Sequence, residues 1–367
     1  MVSGSVLRRF TIAGMPLRAF RLYQPQSVSS DMIIRTTAPA RAALIGNPSD
    51  GYFGKTISFA FSNFQATVTL WESPKLCILP SVRDHETFDS IEDLSRSVRL
   101  FGYYGGIRLI KAAIKTFYQY VVTHGIHLDR RNFTIQYEST IPGLVGMAGS
   151  SAIVTATYRA LQTFYGVSIP KPELANIIRS TEEKELGIAA GLQDRVIQVY
   201  GGLVYMDFDR ALLESRGYGE YVCLDASLMP PVYVAYRTDL SEVSGVYHNN
   251  LKARYNAGDK AVVDAMKFWS DITAEARTCI ESRNYKRLSE LMDLNFDKRV
   301  EVSQVSAENI RMVSVARACG ASAKFTGSGG AIVGVYEGEE MFNRLTEELA
   351  KISVKVIKPE LAPFSES

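Results

Sequence analysis

The sequence has almost no surplus of charge: 41 Lys and Arg stand against 39 Asp and Glu. No global field therefore draws it to nucleic acid or to an anionic membrane surface, and a small neutral or anionic ligand fits the balance better. Long apolar runs are missing too; none approaches the roughly 20 residues that cross a bilayer. Cysteine is scarce, with Cys77, Cys223, Cys279 and Cys319 scattered and none in a C-x-x-C pair. That spacing argues against a disulfide framework or a zinc site, and casts the four as buried apolar side chains in a reducing compartment. His124 and His127 stand three apart and could share a helical face, but no third ligand is near in sequence, and they read as solvated side chains near a helix end. Acidic residues are absent before Asp31, in a stretch that carries Arg8, Arg9, Arg18, Arg21 and several serines. Such a stretch is either a disordered extension or an organellar transit segment; the arginines interrupt its apolar part and argue against a secretory signal. The expected location is the cytoplasm, with organellar targeting as the alternative.

What is present is a chain of 367 residues, long enough for two domains with a cleft between them. RAALIGNPSDGYFG (41–54) runs apolar and then breaks into a small-residue loop, as a strand delivering a functional loop would. Residues 58–71 alternate apolar with polar and carry aromatic and β-branched side chains, predicting a strand; residues 132–140 predict another. Between them Ile107, Ile110, Ile114, Phe117 and Val121 recur at helical spacing. Residues 150–165 and 171–186 predict further helices, the latter with Pro172 in its first turn, and 201–208 returns to strand. From about Leu224 the pattern is a strand over 230–240, long amphipathic helices over 249–318, then strand, GSGG turn, strand, helix and strand over 322–357. This order predicts an α+β architecture with helices on one face of an antiparallel sheet.

The densest signal is IPGLVGMAGSSAIVTAT (141–157), where three glycines and two adjacent serines lead from a predicted strand into a predicted helix. Glycine lets the backbone approach a ligand and take positive φ, while the N–H groups of a first helical turn converge on one point. With the helix dipole behind them they stabilise an anion without a lysine. The Walker pattern fails, because Ser150 and Ser151 stand where Lys would follow Gly149. An ordinary capped turn has the same composition, so this loop alone does not decide. LIGNPSDGYFG and KFTGSGGAIVGVY are two further small-residue loops beside predicted strands, and the three could converge on one site.

These three segments, in this order, resemble the signature set of the GHMP kinase superfamily, small-molecule kinases that include galactokinase, homoserine kinase and mevalonate kinase. Pro142 followed by GMAGSSA is similar to the family's phosphate loop, with Met147 where leucine is usual and one additional residue before the serine pair. GNPSDGYFGKTIS, GYYGG, GLQDR, VYGGLVYMDF, LMDLNFD and KFTGSGGA look like the plant-type glucuronokinase branch, whose members phosphorylate D-glucuronate at the anomeric oxygen. The likeness covers the chain from about residue 40 onward. It implies a two-domain fold: an extension over 1–35, an N-terminal mixed α/β ATP-binding domain over 36–222, a ferredoxin-like antiparallel-sheet α+β domain over 223–367, and an active site between the two. It also implies ATP and Mg²⁺ as cofactors and a sugar acid as substrate. Nucleic acid and membrane are not expected partners. The residues matching the phosphate loop are Gly143, Gly146, Met147, Ala148, Gly149, Ser150, Ser151 and Ala152, with Gly327, Ser328 and Gly329 of the third motif behind it on the substrate side.

Phosphoryl transfer needs a cradle, a magnesium site and a group that prepares the nucleophile. TEEKELGIAAGLQDR supplies acids at Glu182, Glu183, Glu185 and Asp194. The resemblance implies Asp194 as the residue that takes or orients the sugar hydroxyl proton, with Ser151 (or Ser150) and Glu183 as magnesium ligands. Glu182 competes with Glu183, since spacing cannot separate neighbours. Arg41 matches the family's basic residue beside the reacting oxygen. Asn47, Ser49 and Asp50 are expected to face the sugar, and Tyr104 to stack on sugar or adenine. A uronate needs a cation for its carboxylate; Arg195 or Lys55 fits by position and charge. Kinases for galacturonate, galactose, arabinose, fucose or a heptose, and a non-catalytic sensor on the same fold, remain alternatives. A dinucleotide-binding oxidoreductase is disfavoured, because no G-x-G-x-x-G links a strand to a helix with an acid at the right distance.

Overall fold

The structure, a computed structural model, describes residues 33–81, 84, 90–91, 105–238 and 248–365. Two antiparallel hairpin systems organise it. Strand β1 (Ile33–Ile45) pairs along its length with β2 (Lys55–Ser73), and the loop between them contains a short 3-10 turn at Ser49–Tyr52. On its other edge β2 pairs with two strands in succession: its far half with β4 (Asn132–Ser139), its near half with β5 (Leu203–Asp207). Two short edge strands complete the sheet, β3 (Cys77–Ile78) parallel to β4 and β6 (Glu220–Leu224) antiparallel to β5. Because β6 ends at Leu224, it crosses the expected domain boundary between residues 222 and 223.

Helices cover this sheet. They are α1 (Gly106–Thr123), α2 (Gly149–Tyr165), α3 (Lys171–Ser180) and α4 (Gln193–Tyr200), with α5 (Arg210–Arg216) joining β5 to β6. Small residues at Ala152, Ala156 and Ala160 let α2 lie close on the sheet, its buried face continued by Val154 and Phe164. The predicted helix over 171–186 divides: α3 stops at Ser180 and Thr181–Glu185 form a π turn, leaving Glu182 fully buried.

After β6 come β7 (Val232–Arg237) and the helices α6 (His248–Asn256), α7 (Lys260–Glu281), α8 (Tyr285–Val302) and α9 (Ala307–Ala318). Then follow β8 (Lys324–Phe325), β9 (Ala331–Val335), α10 (Gly338–Ala350) and β10 (Val354–Ile357), giving a second sheet in the order β10-β7-β9-β8, all antiparallel. Alternation along β7 decides its packing: Val232 and Val234 join the large core shared with the first sheet and α7, while Tyr233 and Ala235 join a second core with Met312, Phe325 and Leu345. The expected sheet with helices on one face is thus buried on both faces. The last residues return to the first sheet, where Leu361 bridges Phe61 and Phe364 bridges Gly201.

Cys279 and Cys319 are buried as expected, but Cys77 and Cys223 are exposed, since each lies on a short edge strand. No helix among the described residues is long and apolar enough to cross a membrane.

Candidate active site

The loop after β4 turns through left-handed backbone at Leu144, Gly146 and Ala148 (φ 61°, 66° and 63°) and enters α2 at Gly149. Ala148 caps that helix, and its methyl side chain offers no oxygen to the first-turn N–H groups. The loop is pinned through its carbonyls. Arg41 Nη1 donates to Gly146 O at 2.6 Å, Thr326 Oγ1 to the same oxygen at 3.2 Å, and Gln198 Nε2 to Ala148 O at 2.9 Å. Gly146 has to be glycine twice over: its φ is positive, and a Cβ there would lie 2.9 Å from Ser328 N. Gly327 is held in the same way, since a Cβ on it would lie 2.5 Å from Gly146 O and 2.7 Å from Arg41 Nη2. Gly327, Ser328 and Gly329 therefore back directly onto the loop of 141–149. Met147 turns its side chain into the core, while Gly143 is exposed.

Beside this loop lies a chain of buried charges. Arg41, inside β1, grips Asp194 with two hydrogen bonds, Nε to Oδ1 at 2.6 Å and Nη2 to Oδ2 at 2.9 Å. Its remaining nitrogen serves Gly146 and also Thr326 O at 2.9 Å, so one guanidinium ties together the first strand, the phosphate-loop candidate, the third motif and the first turn of α4. Arg195 lies on the other side of Asp194, 3.4 Å from Oδ2, and forks onto Glu182 through Nε and Nη2. Glu182 in turn accepts from Ser150 Oγ at 2.7 Å. Bidentate geometry and extra donors offset the desolvation of such pairs.

This network separates residues that spacing left ambiguous. Ser150, not Ser151, meets a carboxylate, because Ser151 is buried and bonds back to Ala148 O at 3.2 Å. Glu182, not Glu183, faces the loop: the π turn rotates Glu182 inward and leaves Glu183 half-buried against Arg179 at 3.1 Å and Lys252 at 3.6 Å. The expected pair Ser151 and Glu183 is not brought together. Arg195 is also not placed as a reader of a sugar carboxylate, since Glu182, Gly191 O and Asp194 occupy its guanidinium. Lys55 is not brought to Asp194 either; it pairs across the strands with Asp207 at 3.1 Å, on the face of β2 opposite Ser58, whose hydroxyl meets Gln193.

Asn47, Ser49 and Asp50 all lie buried on the β1–β2 loop. Asn47 Nδ2 donates to Gly327 O at 3.2 Å, and its Oδ1 is buried with no hydrogen-bond partner among the described residues. Ser49 Oγ closes the loop on Lys55 O at 2.9 Å, a bond within the loop itself. Asp50 accepts from Gln193 N at 3.3 Å and from Gln193 Nε2 at 3.2 Å. Burial, with the Asp194 charge as the second cause, pushes the Asp50 carboxyl up to about 6. Tyr104 lies outside the described residues.

Four residues here were not singled out from the sequence: Gln193, Lys324, Asn295 and Arg299. Lys324 is buried and donates to Ala43 O at 2.6 Å and Phe325 O at 2.7 Å; burial drives its ammonium well below the ordinary lysine value. Asn295 accepts from Gly46 N at 2.7 Å and donates to Asn47 O at 3.2 Å. Asn295 and Arg299 sit four apart in α8, on one helical face, which is the signal that pairs them. Among the described residues no group of three or more His, Cys, Asp or Glu side chains gathers as a metal cluster.

This architecture of two sheets around a glycine-rich loop is that of a small-molecule kinase. Residues 108–202 match the family described as GHMP kinases N terminal domain. The galactokinase of Lactococcus lactis, solved with galactose, superposes with a TM-score of 0.67 over 92% of this chain and all but a few per cent of its own (96%), at 13% identity, a likeness of fold. Among sequences, Glucuronokinase 1 of Arabidopsis thaliana is 42% identical over 331 residues, covering 88% of this chain and 91% of its own. Probable glucuronokinase 2 of the same plant is 44% identical over 333 residues, covering 88% and 90%. The chain belongs to the glucuronokinase family of GHMP kinases.

Proposed function

We propose that this enzyme transfers the γ-phosphoryl group of ATP to the anomeric hydroxyl of D-glucuronate, giving glucuronate 1-phosphate and ADP. The observation that carries the reading is the position of Asp194, fixed between Arg41 and Arg195 beside the loop of 141–149. Its carboxylate keeps some exposure, 16% of the side chain, where Arg41 keeps 5%, so a ligand reaches the acid while the arginine acts from behind. In this reading Asp194 orients the sugar hydroxyl and takes its proton as the oxygen bonds to the γ-phosphorus and the bond to ADP breaks. A loose phosphoryl transition state asks mainly for positioning and charge stabilisation; Arg41 holds both Asp194 and the carbonyl of Gly146, so it fixes acid and phosphate cradle in one geometry.

The glycines and first-turn N–H groups of 143–152 are assigned to the ATP phosphates, with Gly327, Ser328 and Gly329 behind them. Ser150 and Glu182 are assigned to Mg²⁺ in place of Ser151 and Glu183. A hydroxyl and a carboxylate are hard oxygen donors that suit this cation, which takes the rest of its shell from phosphate and water. When bound, it neutralises charge on the phosphate oxygens. Asn47 and Asp50 are assigned to the sugar side, and the domain boundary is placed after Leu224, so that β6 stays with its own sheet.

The test is a panel of free uronates and neutral sugars offered to the full chain with Mg-ATP and scored for ADP release. Glucuronate is expected to give the highest kcat/KM. Turnover of galactose but not glucuronate refutes the substrate, and binding without ADP release by any sugar refutes catalysis.

A further inference from the structure

A uronate differs from its parent sugar by one carboxylate; Arg195 is occupied by Glu182, Gly191 O and Asp194, and Lys55 is paired with Asp207. The buried face of α8 offers another cation. Asn295, one turn before it, is accounted for by its bonds to Gly46 and Asn47. Arg299 is not. It is 6% exposed, and its Nη1 is buried with no hydrogen-bond partner among the described residues. Its guanidinium stands 5.4 Å from the centre of the Phe325 ring, the residue that precedes Thr326 and the third motif. Its charged and polar surroundings are Tyr52 and Asp50 of the β1–β2 loop and the ammonium of Lys324. Asp50 connects this spot to the reacting end of the site, because its carboxyl also accepts from Gln193, the neighbour of Asp194.

A count of buried charge around the cleft points the same way. Arg41 is matched by Asp194, and Arg195 by Glu182. Among the described residues, the carboxylate set against Arg299 is that of Asp50, which is itself pushed toward the neutral form by burial. A buried cation without a hydrogen-bonded anion is a costly arrangement, and the missing partner is a single anionic group with lone pairs for Nη1. Asn47 Oδ1, buried on the same loop with no partner among the described residues, adds an acceptor suited to a ligand hydroxyl.

We propose that Arg299 receives the C6 carboxylate of glucuronate, with the β1–β2 loop closing the sugar between this arginine and Asp194. The inference rests on the assignment of glucuronate as substrate. It makes Arg299 the residue that separates uronates from neutral sugars; Lys324, held by two carbonyls and pushed toward its neutral form by burial, has no part in that reading.

The experiment compares the wild-type chain with Arg299→Met and Arg299→Lys, using glucuronate and its neutral amide, glucuronamide, each as substrate or as competitor. Arg299→Met is expected to raise KM for glucuronate at least about 30-fold, as truncation of a buried charged pair does, while KM for ATP and the constants for glucuronamide stay within about threefold. Arg299→Lys is expected to recover part of the loss. Because Met replaces an unpaired buried charge, the sugar-free variant is expected to melt no lower than the wild type, which separates a binding defect from a folding one. An unchanged KM for glucuronate in Arg299→Met, or equal losses on glucuronate and glucuronamide, overturns the assignment of Arg299. A wild-type enzyme that does not prefer glucuronate over its amide overturns the substrate reading instead, and that failure shows before any variant is made.

Discussion

At the scale of single residues, the site runs on side chains whose environments set them apart. Asp50 and Asp194 are neighbours in space with different tasks: Asp194 is gripped by one arginine and touched by a second, whereas Asp50 accepts from the two amide groups of Gln193 and its carboxyl is held up to about 6 by burial. Its folded value lies above the unfolded one, so the native state binds the extra proton between about pH 4 and 6 and stability falls as pH rises through that window. A shift of this size corresponds to about 3 kcal/mol. Melting curves of the wild type and Asp50→Asn at pH 4.5 and pH 7 check this: the wild type is expected to lose ground to the variant as pH rises, and a constant difference contradicts it. Asp194, Arg41 and the loop glycines were legible in the sequence because their residue types are tied to chemistry or to positive φ. Arg299 was not, since an arginine in a charged amphipathic helix has the sequence pattern of a solvated one; only its burial distinguishes it.

At the scale of elements, the π turn of Thr181–Glu185 decides the metal side. A helical pattern over 171–186 is visible in the sequence, but a single widened turn leaves the apolar spacing nearly intact while rotating each following side chain. That is why Glu182 and Glu183 could not be told apart beforehand. Glu182 is buried against Arg195, and Glu183 lies among partly exposed partners. Glu182→Gln is therefore expected to cost about 3–5 kcal/mol in denaturant unfolding, and Glu183→Gln about 0–1 kcal/mol; equal losses contradict the arrangement. The serine pair allows a second check. Ser150→Ala is expected to raise the Mg²⁺ concentration for half-maximal activity several-fold, with Ser151→Ala having the smaller effect, because only the Ser150 hydroxyl points at the Glu182 carboxylate. The reverse order returns the metal to Ser151.

At the scale of the whole molecule, the antiparallel second sheet and the strand–loop–helix carrying 141–157 were readable from periodicity and glycine placement. Less readable was how β2, a 19-residue strand, serves β1 on one edge and both β4 and β5 on the other, since such pairing is long-range. The return of Leu361 and Phe364 to the first sheet was equally hidden. These pairings bring the loops near residues 50, 146, 194 and 327 to one place, and Arg41 fastens three of them. The central claim, that this assembly phosphorylates glucuronate with Asp194 at the reacting hydroxyl, is tested most directly by glucuronate-dependent ADP release in the wild type and in Asp194→Asn at saturating Mg-ATP. The account predicts turnover in the wild type and a kcat lower by about 10²–10⁴-fold in the variant, with ATP binding retained. Undiminished turnover in Asp194→Asn, or none in the wild type, contradicts it.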